Sequence, residues 1–191
     1  MIYSRHEHNP VTIDRDCKAT LIPSGDTIVL QAGVTVTVTQ ALGGSITVQT
    51  DLGQLARISG DDAVDLGLGE LLEPAASTDD TDSDSDTPFD VEQVIERLKT
   101  VFDPEIPVNV VDLGLIYGCE AIDLPDGTHR VEIKMSMTAP GCGMGDVLRD
   151  DAHQRVAEMP GVSEVDVELV WDPPWDLSRL SDAARLELGM V

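Results

Sequence analysis

Positions 34–39 read Val34-Thr35-Val36-Thr37-Val38-Thr39, valine on one face and threonine on the other. That unbroken period of two marks a half-buried strand. Shorter runs of the same kind lie at 18–22, 27–30, 45–48 and 55–58. Turn formers separate them: Pro23-Ser24-Gly25-Asp26, Ala32-Gly33, Gly43-Gly44 and Asp51-Leu52-Gly53. Five or six short strands predict a small barrel or sandwich over residues 1–73. From residue 88 the period changes. Val91, Val94, Ile95, Leu98, Val101 and Phe102 recur at helical spacing behind Asp90, a good N-cap. The helix must stop by Asp103, because Pro104 disfavours helical geometry in the residue before it.

A strand is then predicted at 117–122, and a hairpin turn at Pro125-Asp126-Gly127. In the next strand, 131–137, Val131, Ile133, Met135 and Met137 share one face, and Glu132, Lys134 and Ser136 the other. A helix at 147–159 ends at Pro160-Gly161. Val165, Val167 and Leu169 alternate in a third strand, and a last helix spans about 178–188 with Gly189 as its C-cap. The fold class is thus α+β: a β-rich module, then a compact α-β-β-α-β-α domain over 88–191. A hairpin feeding a right-handed β-α-β crossover gives that domain a mixed sheet.

Between the two periodic regions, residues 74–87 are Asp, Ser and Thr almost throughout. Such a segment buries too little apolar surface to offset the entropy of ordering, so it reads as a flexible acidic linker. It lacks the glycine and distal glutamate of a calcium loop. Charge sharpens the picture. With 36 acidic and 12 basic residues, a net charge of −24, the chain of 191 residues has no basic footprint for nucleic acid or anionic membranes. No apolar run reaches the length of a membrane span, and residues 1–6 lack the apolar core of a signal peptide. The expected location is cytoplasmic. Cys17, Cys119 and Cys142 are odd in number and far apart, which fits reduced thiols rather than a disulfide framework.

The chemistry concentrates at Met137-Thr138-Ala139-Pro140-Gly141-Cys142-Gly143-Met144-Gly145-Asp146. A strand leads in and a helix leads out, which sets a thiol near a helix N-terminus. Unpaired amides and the positive dipole end there favour thiolate. A lone cysteine is more often an inert apolar residue; this setting favours a functional thiol. Thr138 either presents its hydroxyl to the sulfur or ends the strand. Asp103 and Glu105 form an acidic loop braced by Pro104 and Pro107, able to accept a hydrogen bond, ligate a metal or take a proton. Asp112 is placed to cap the turn at Leu113-Gly114. Trp171 and Trp175, both tryptophans of a chain with 3% aromatics, flank Asp172-Pro173-Pro174 and suit either partner docking or packing. His129 stays open as a base for the thiol, whereas His153 is too far along the helix. The His6/His8 pair and Arg15-Asp16-Cys17 are the only reactive groups close together in the β-rich module.

Asp103-Pro104-Glu105-Ile106-Pro107, Val111-Asp112-Leu113-Gly114-Leu115-Ile116-Tyr117 and Met137-Thr138-Ala139-Pro140-Gly141-Cys142 together resemble the small domain shared by SufT, PaaD-like proteins and the eukaryotic cytosolic iron–sulfur targeting factors. The likeness spans about 88–176. The 40–45 segment, Asp172-Pro173-Pro174-Trp175 and the 183–190 tail are similar to the longer SufT form. The resemblance implies a non-enzymatic accessory or targeting factor that helps assemble or transfer iron–sulfur clusters to client apo-proteins. Cys142 would be its reactive thiol and transient cluster ligand, Asp103 and Glu105 its acidic loop, and assembly or carrier proteins its partners. A cluster usually takes several thiolates. The others would come from a second copy across a homodimer or from a partner. The rival reading is a thiol-dependent enzyme or a PaaD-like oxygenase-assembly subunit.

Overall fold

The structure is a computed structural model that describes residues 10–72, 89–139 and 143–190. It divides into two compact units, Met1–Ser77 and Thr78–Val191. The predicted linker at 74–87 and the His6/His8 pair lie outside the described residues.

The N-terminal unit holds β1 (Pro10–Thr12), β2 (Cys17–Ile22), β3 (Thr27–Leu30), β4 (Thr35–Leu42), β5 (Ser45–Gln49) and β6 (Leu55–Ser59). They pair antiparallel in one six-stranded sheet of order β1-β4-β5-β6-β2-β3. The valines of β4 turn inward and its threonines outward, as the alternation demands; Val36 is 1% exposed. The unit forms a single sheet where a barrel or a two-sheet sandwich is predicted. It also ends in a helix, α1 (Gly60–Asp65), that strand periodicity does not foretell. Ser59 caps α1 by accepting from the Asp62 amide. Cys17 is buried in this core, Arg15 pairs with Asp65, and Asp16 accepts from the Ala32 amide at 2.9 Å. All three local groups are thus used structurally.

The C-terminal unit runs α2 (Val91–Leu98), β7 (Ile116–Asp123), β8 (His129–Met135), α3 (Gly145–Ala157), β9 (Val162–Leu169) and α4 (Asp182–Glu187). Asp90 accepts from the Glu92 amide and starts α2. The helix ends at Leu98, earlier than its apolar spacing suggests. Val101 and Phe102 leave it to close a loop instead: Phe102 bridges to Asn109, and the Val110 amide donates to Val101 O at 2.9 Å. β7 and β8 are antiparallel, β8 and β9 parallel, so the three-stranded sheet is mixed. Val131, Ile133 and Met135 of β8 join Val94 and Leu98 of α2, and Leu148, Ala152 and Val156 of α3, in one core. Ser136, expected outside, is 1% exposed, because the strand alternation stops at Met135 and the chain turns in. The single last helix predicted at 178–188 is split into a short 3₁₀ turn, Leu177–Arg179, and α4. Ser181 divides them by accepting from the Ala184 amide as N-cap.

Candidate functional site

β8 and β9 run parallel with Met135 opposite Leu169, so both deliver their C-terminal ends to one edge of the sheet. Sites in open α/β sheets gather at such ends. Val170 donates to Met135 O and Ser136 to Leu115 O, each at 2.8 Å, which ties the strand ends to the close of the Val111–Leu115 motif. The chain leaving this edge runs through Met137, 2% exposed, and re-enters at Met144, 1% exposed. A loop with both ends held by buried methionines has a fixed base whatever its tip does. Gly145 packs against both strand ends: a Cβ there would make ordinary contacts, 3.5 Å from Met137 Cγ and 3.6 Å from Leu169 Cδ1. Cys142 lies outside the described residues. By chain order it stands two residues before Met144, the N-cap of α3, and Met144 supplies no side-chain acceptor to the helix amides. Thr138 is half-buried past the end of β8, at the start of this loop. Tyr117 Oη and Ser136 Oγ, both buried, have no hydrogen-bond partner among the described residues.

The acidic loop divides its two carboxylates. Asp103 is 5% exposed, and its Oδ1 accepts from the Glu105 amide at 2.8 Å and the Ile106 amide at 3.0 Å. Burial pushes its carboxyl above the usual range, against those two amides, which pull it down. Asp103 therefore shapes the loop, and exposed Glu105 is the carboxylate offered outward. At Leu113-Gly114 the two amides bond the Asn109 and Val111 carbonyls instead of an Asp112 cap, and the capping side chain of this stretch is Asn109. Asn109 Oδ1 accepts from the Val111 and Asp112 amides at 3.1 and 2.9 Å, and its amide donates to Asp112 Oδ2 at 2.7 Å. An Asn side chain closing on the amides two and three residues ahead is the local Asx geometry that competes with helix.

Asp112, Leu113 and Gly114 act through their backbone. Three successive carbonyls receive the C-terminal segment: Ser181 N donates to Asp112 O at 2.9 Å, Trp175 Nε1 to Leu113 O at 2.7 Å, and Arg179 Nε to Gly114 O at 3.3 Å. The Arg179 guanidinium also lies 3.7 Å over the Tyr117 ring. Gly114 has φ +69°, and a Cβ there would stand 2.2 Å from Arg179 O, so glycine is required twice over. The two tryptophans thereby separate in role. Trp175 packs on the core and is hydrogen-bonded, whereas Trp171 is 45% exposed just past β9, at the edge that carries the cysteine loop. Sequence periodicity missed Arg179, Ser181 and Asn109; only the Asn109–Asp112 spacing carried a local signal.

His129 stands at the far end of β8 from the base of the cysteine loop. It opens β8, whose seven residues end at Met135, about 20 Å away at strand rise. There it stacks on Phe89, centroids 4.2 Å apart, and its Nδ1 bonds Asp123 Oδ1 at 3.0 Å. Cys119 faces the core opposite Ile133, and burial pushes its thiol up to about 11, Glu120 adding to the shift. Cys119 thus keeps its proton at neutral pH, which disfavours it as a ligand. Among the described residues, no three His, Cys, Asp or Glu side chains are grouped to hold a metal ion, and no helix is long and apolar enough to cross a membrane.

Comparison with known proteins adds a second line. Residues 91–168, within the C-terminal unit, match the family model described as iron–sulfur cluster assembly protein. An Fe-S protein maturation auxiliary factor of Porphyromonas gingivalis is 41% identical over 52% of this chain and 91% of its own length. The Fe-S protein maturation auxiliary factor YitW of Bacillus subtilis is 34% identical over 52% of this chain and 93% of its own. The Fe-S protein maturation auxiliary factor SufT of Staphylococcus aureus is 36% identical over 47% of this chain and 98% of its own.

Proposed function

Because the chain belongs to the iron–sulfur cluster assembly protein family, we propose that it is an accessory factor in the maturation of iron–sulfur proteins, with Cys142 as its working thiol. The observation that carries the reading is the anchored loop: buried Met137 and Met144 fix its ends, and α3 begins beside it without a side-chain cap. Amides left open at a helix start stabilise a thiolate, the form that ligates iron or attacks sulfur. The cluster is cargo rather than a resident group. Cys142 holds it transiently, and a partner or a second copy gives the remaining thiolates, since Cys119 keeps its proton and Cys17 belongs to the core of the other unit. Glu105 is an exposed carboxylate on a loop set by Asp103, and exposed Trp171 gives carrier or client proteins an apolar hold.

The test is complementation of a deletion strain under iron limitation, with aconitase and a second iron–sulfur enzyme assayed. Cys142→Ser at normal protein level should lose most of the rescue. Full rescue by Cys142→Ser would end the thiol reading. Substrate turnover by the purified chain alone would instead favour a thiol-dependent enzyme.

A further inference from the structure

The sheet of the C-terminal unit uses one face for its core. On the other face, β7, β8 and β9 align in three cross-strand rows: Gly118–Lys134–Glu168, Glu120–Glu132–Asp166 and Ile122–Arg130–Glu164. Helices α2 and α3 share a core with the first face, and on the second Glu120, Lys134, Asp166 and Glu168 are exposed. The middle row sets three carboxylates directly across three strands, an arrangement that destabilises a sheet by like-charge repulsion. Arg130 relieves part of it, 3.0 Å from Glu132 and 3.9 Å from both Glu164 and Asp166.

A second, independent feature sits in the same place. Gly118 opens a cavity of about 70 Å³ between Glu120, Lys134 and Glu168. Its φ is not among the positive ones, and an added Cβ would meet only Lys134 Cβ at 3.8 Å and Cδ at 3.9 Å, an ordinary contact. The bulge at Tyr117 adjoins it without needing glycine at 118. Glycine inside a strand weakens the strand and marks a place where something approaches the backbone closely. Among the described residues only the Lys134 side chain comes near Gly118, at ordinary contact distance.

We propose that this sheet face is a docking surface for a lysine- or arginine-bearing segment of a partner protein, with one basic side chain seated over Gly118. The sign of charge selects the occupant. Residues 10–72 of the chain carry eight acidic and three basic side chains, so its own N-terminal unit is of like charge. A second copy would bring the same acidic face, so like charge opposes it at this surface as well. Complementary charge across such a face sets specificity and association rate.

The test titrates a synthetic helical peptide, with lysines at every third or fourth position, into the labelled full chain at low ionic strength. Backbone amide shifts should concentrate on Gly118, Glu120, Glu132, Lys134, Asp166 and Glu168. Glu120→Gln/Glu132→Gln/Asp166→Asn should weaken binding roughly tenfold, while removing the same charge from the outer side of α3, Asp146→Asn/Asp150→Asn/Glu158→Gln, should weaken it less than about twofold. Equal weakening by the two triple variants, or shifts spread over the whole acidic surface, would overturn the proposal. Gly118→Leu gives a second check that leaves charge unchanged: filling the cavity should abolish the focused shifts, and wild-type binding by this variant would refute the seat.

Discussion

At the scale of single residues, burial decides which acidic and sulfur groups are available for chemistry. Cys119 is held up to about 11 from an ordinary value near 9. A raised folded value means that its contribution to stability is complete below the unfolded value and is lost as pH climbs to the folded one. Stability should therefore fall between about pH 9 and 11, and Cys119→Val should flatten that part of the profile in denaturant titrations. Alkylation with iodoacetamide near pH 8 should label Cys142 at least about tenfold faster than Cys119, since rate follows thiolate fraction. Asp103 is a loop organiser, so Asp103→Ala should cost about 1–3 kcal/mol in chemical denaturation by leaving the Glu105 and Ile106 amides unpaired. Glu105→Gln should leave stability within roughly 0.5 kcal/mol, as expected of an exposed position. A loss of rescue with Glu105→Gln then reports on function, whereas one with Asp103→Ala reports first on folding. The sequence marked Asp103 and Glu105 as a pair; burial, which no local pattern encodes, assigned them different work.

At the scale of elements, the segment after β9 is part of the domain. Its three bonds to the Asp112, Leu113 and Gly114 carbonyls span sequence separations such as 62 for Trp175 to Leu113 and 65 for Arg179 to Gly114. Trp175→Phe keeps most of the packing and removes the donor, so it should cost about 1 kcal/mol. Gly114→Ala meets both the positive φ and the Arg179 carbonyl. A loss of at least roughly 2 kcal/mol is expected, read as a lower melting temperature. If Gly114→Ala melts like wild type, the tail does not close on the motif. The period of each strand and helix was legible because backbone geometry sets it over a few residues. The early end of α2 and the split of the last helix were not, since Val101 and Ser181 are claimed by partners elsewhere in the chain.

At the scale of the whole molecule, two units carry separate cores, one led by Ile46, Val48 and Ile58, the other by Leu98, Leu115 and Ile133. Residues 78–191 produced alone should fold cooperatively, with circular dichroism and a melting temperature close to those of that unit in the full chain. Aggregation of this fragment, or a loose fold, would mean that the N-terminal unit completes it. The same fragment in the complementation assay tells whether the β-rich unit is needed for rescue.

By itself the sequence determined the two-part organisation, the strand and helix periods, the acidic excess and the kinship carried by Cys142 and the motifs before it. These are local or compositional properties, and the physics that produces them acts over a few residues at a time. The tertiary structure alone decided that Asp103 is enclosed while Glu105 is not, and that Trp175 is an anchor while Trp171 stays exposed. It also placed His129 at the far end of β8 from the base of the cysteine loop and aligned Glu120, Glu132 and Asp166 across three strands. Each of those outcomes depends on which distant segment arrives to bury, pair with or face the residue, and strand register and core packing settle that only once the chain has closed on itself.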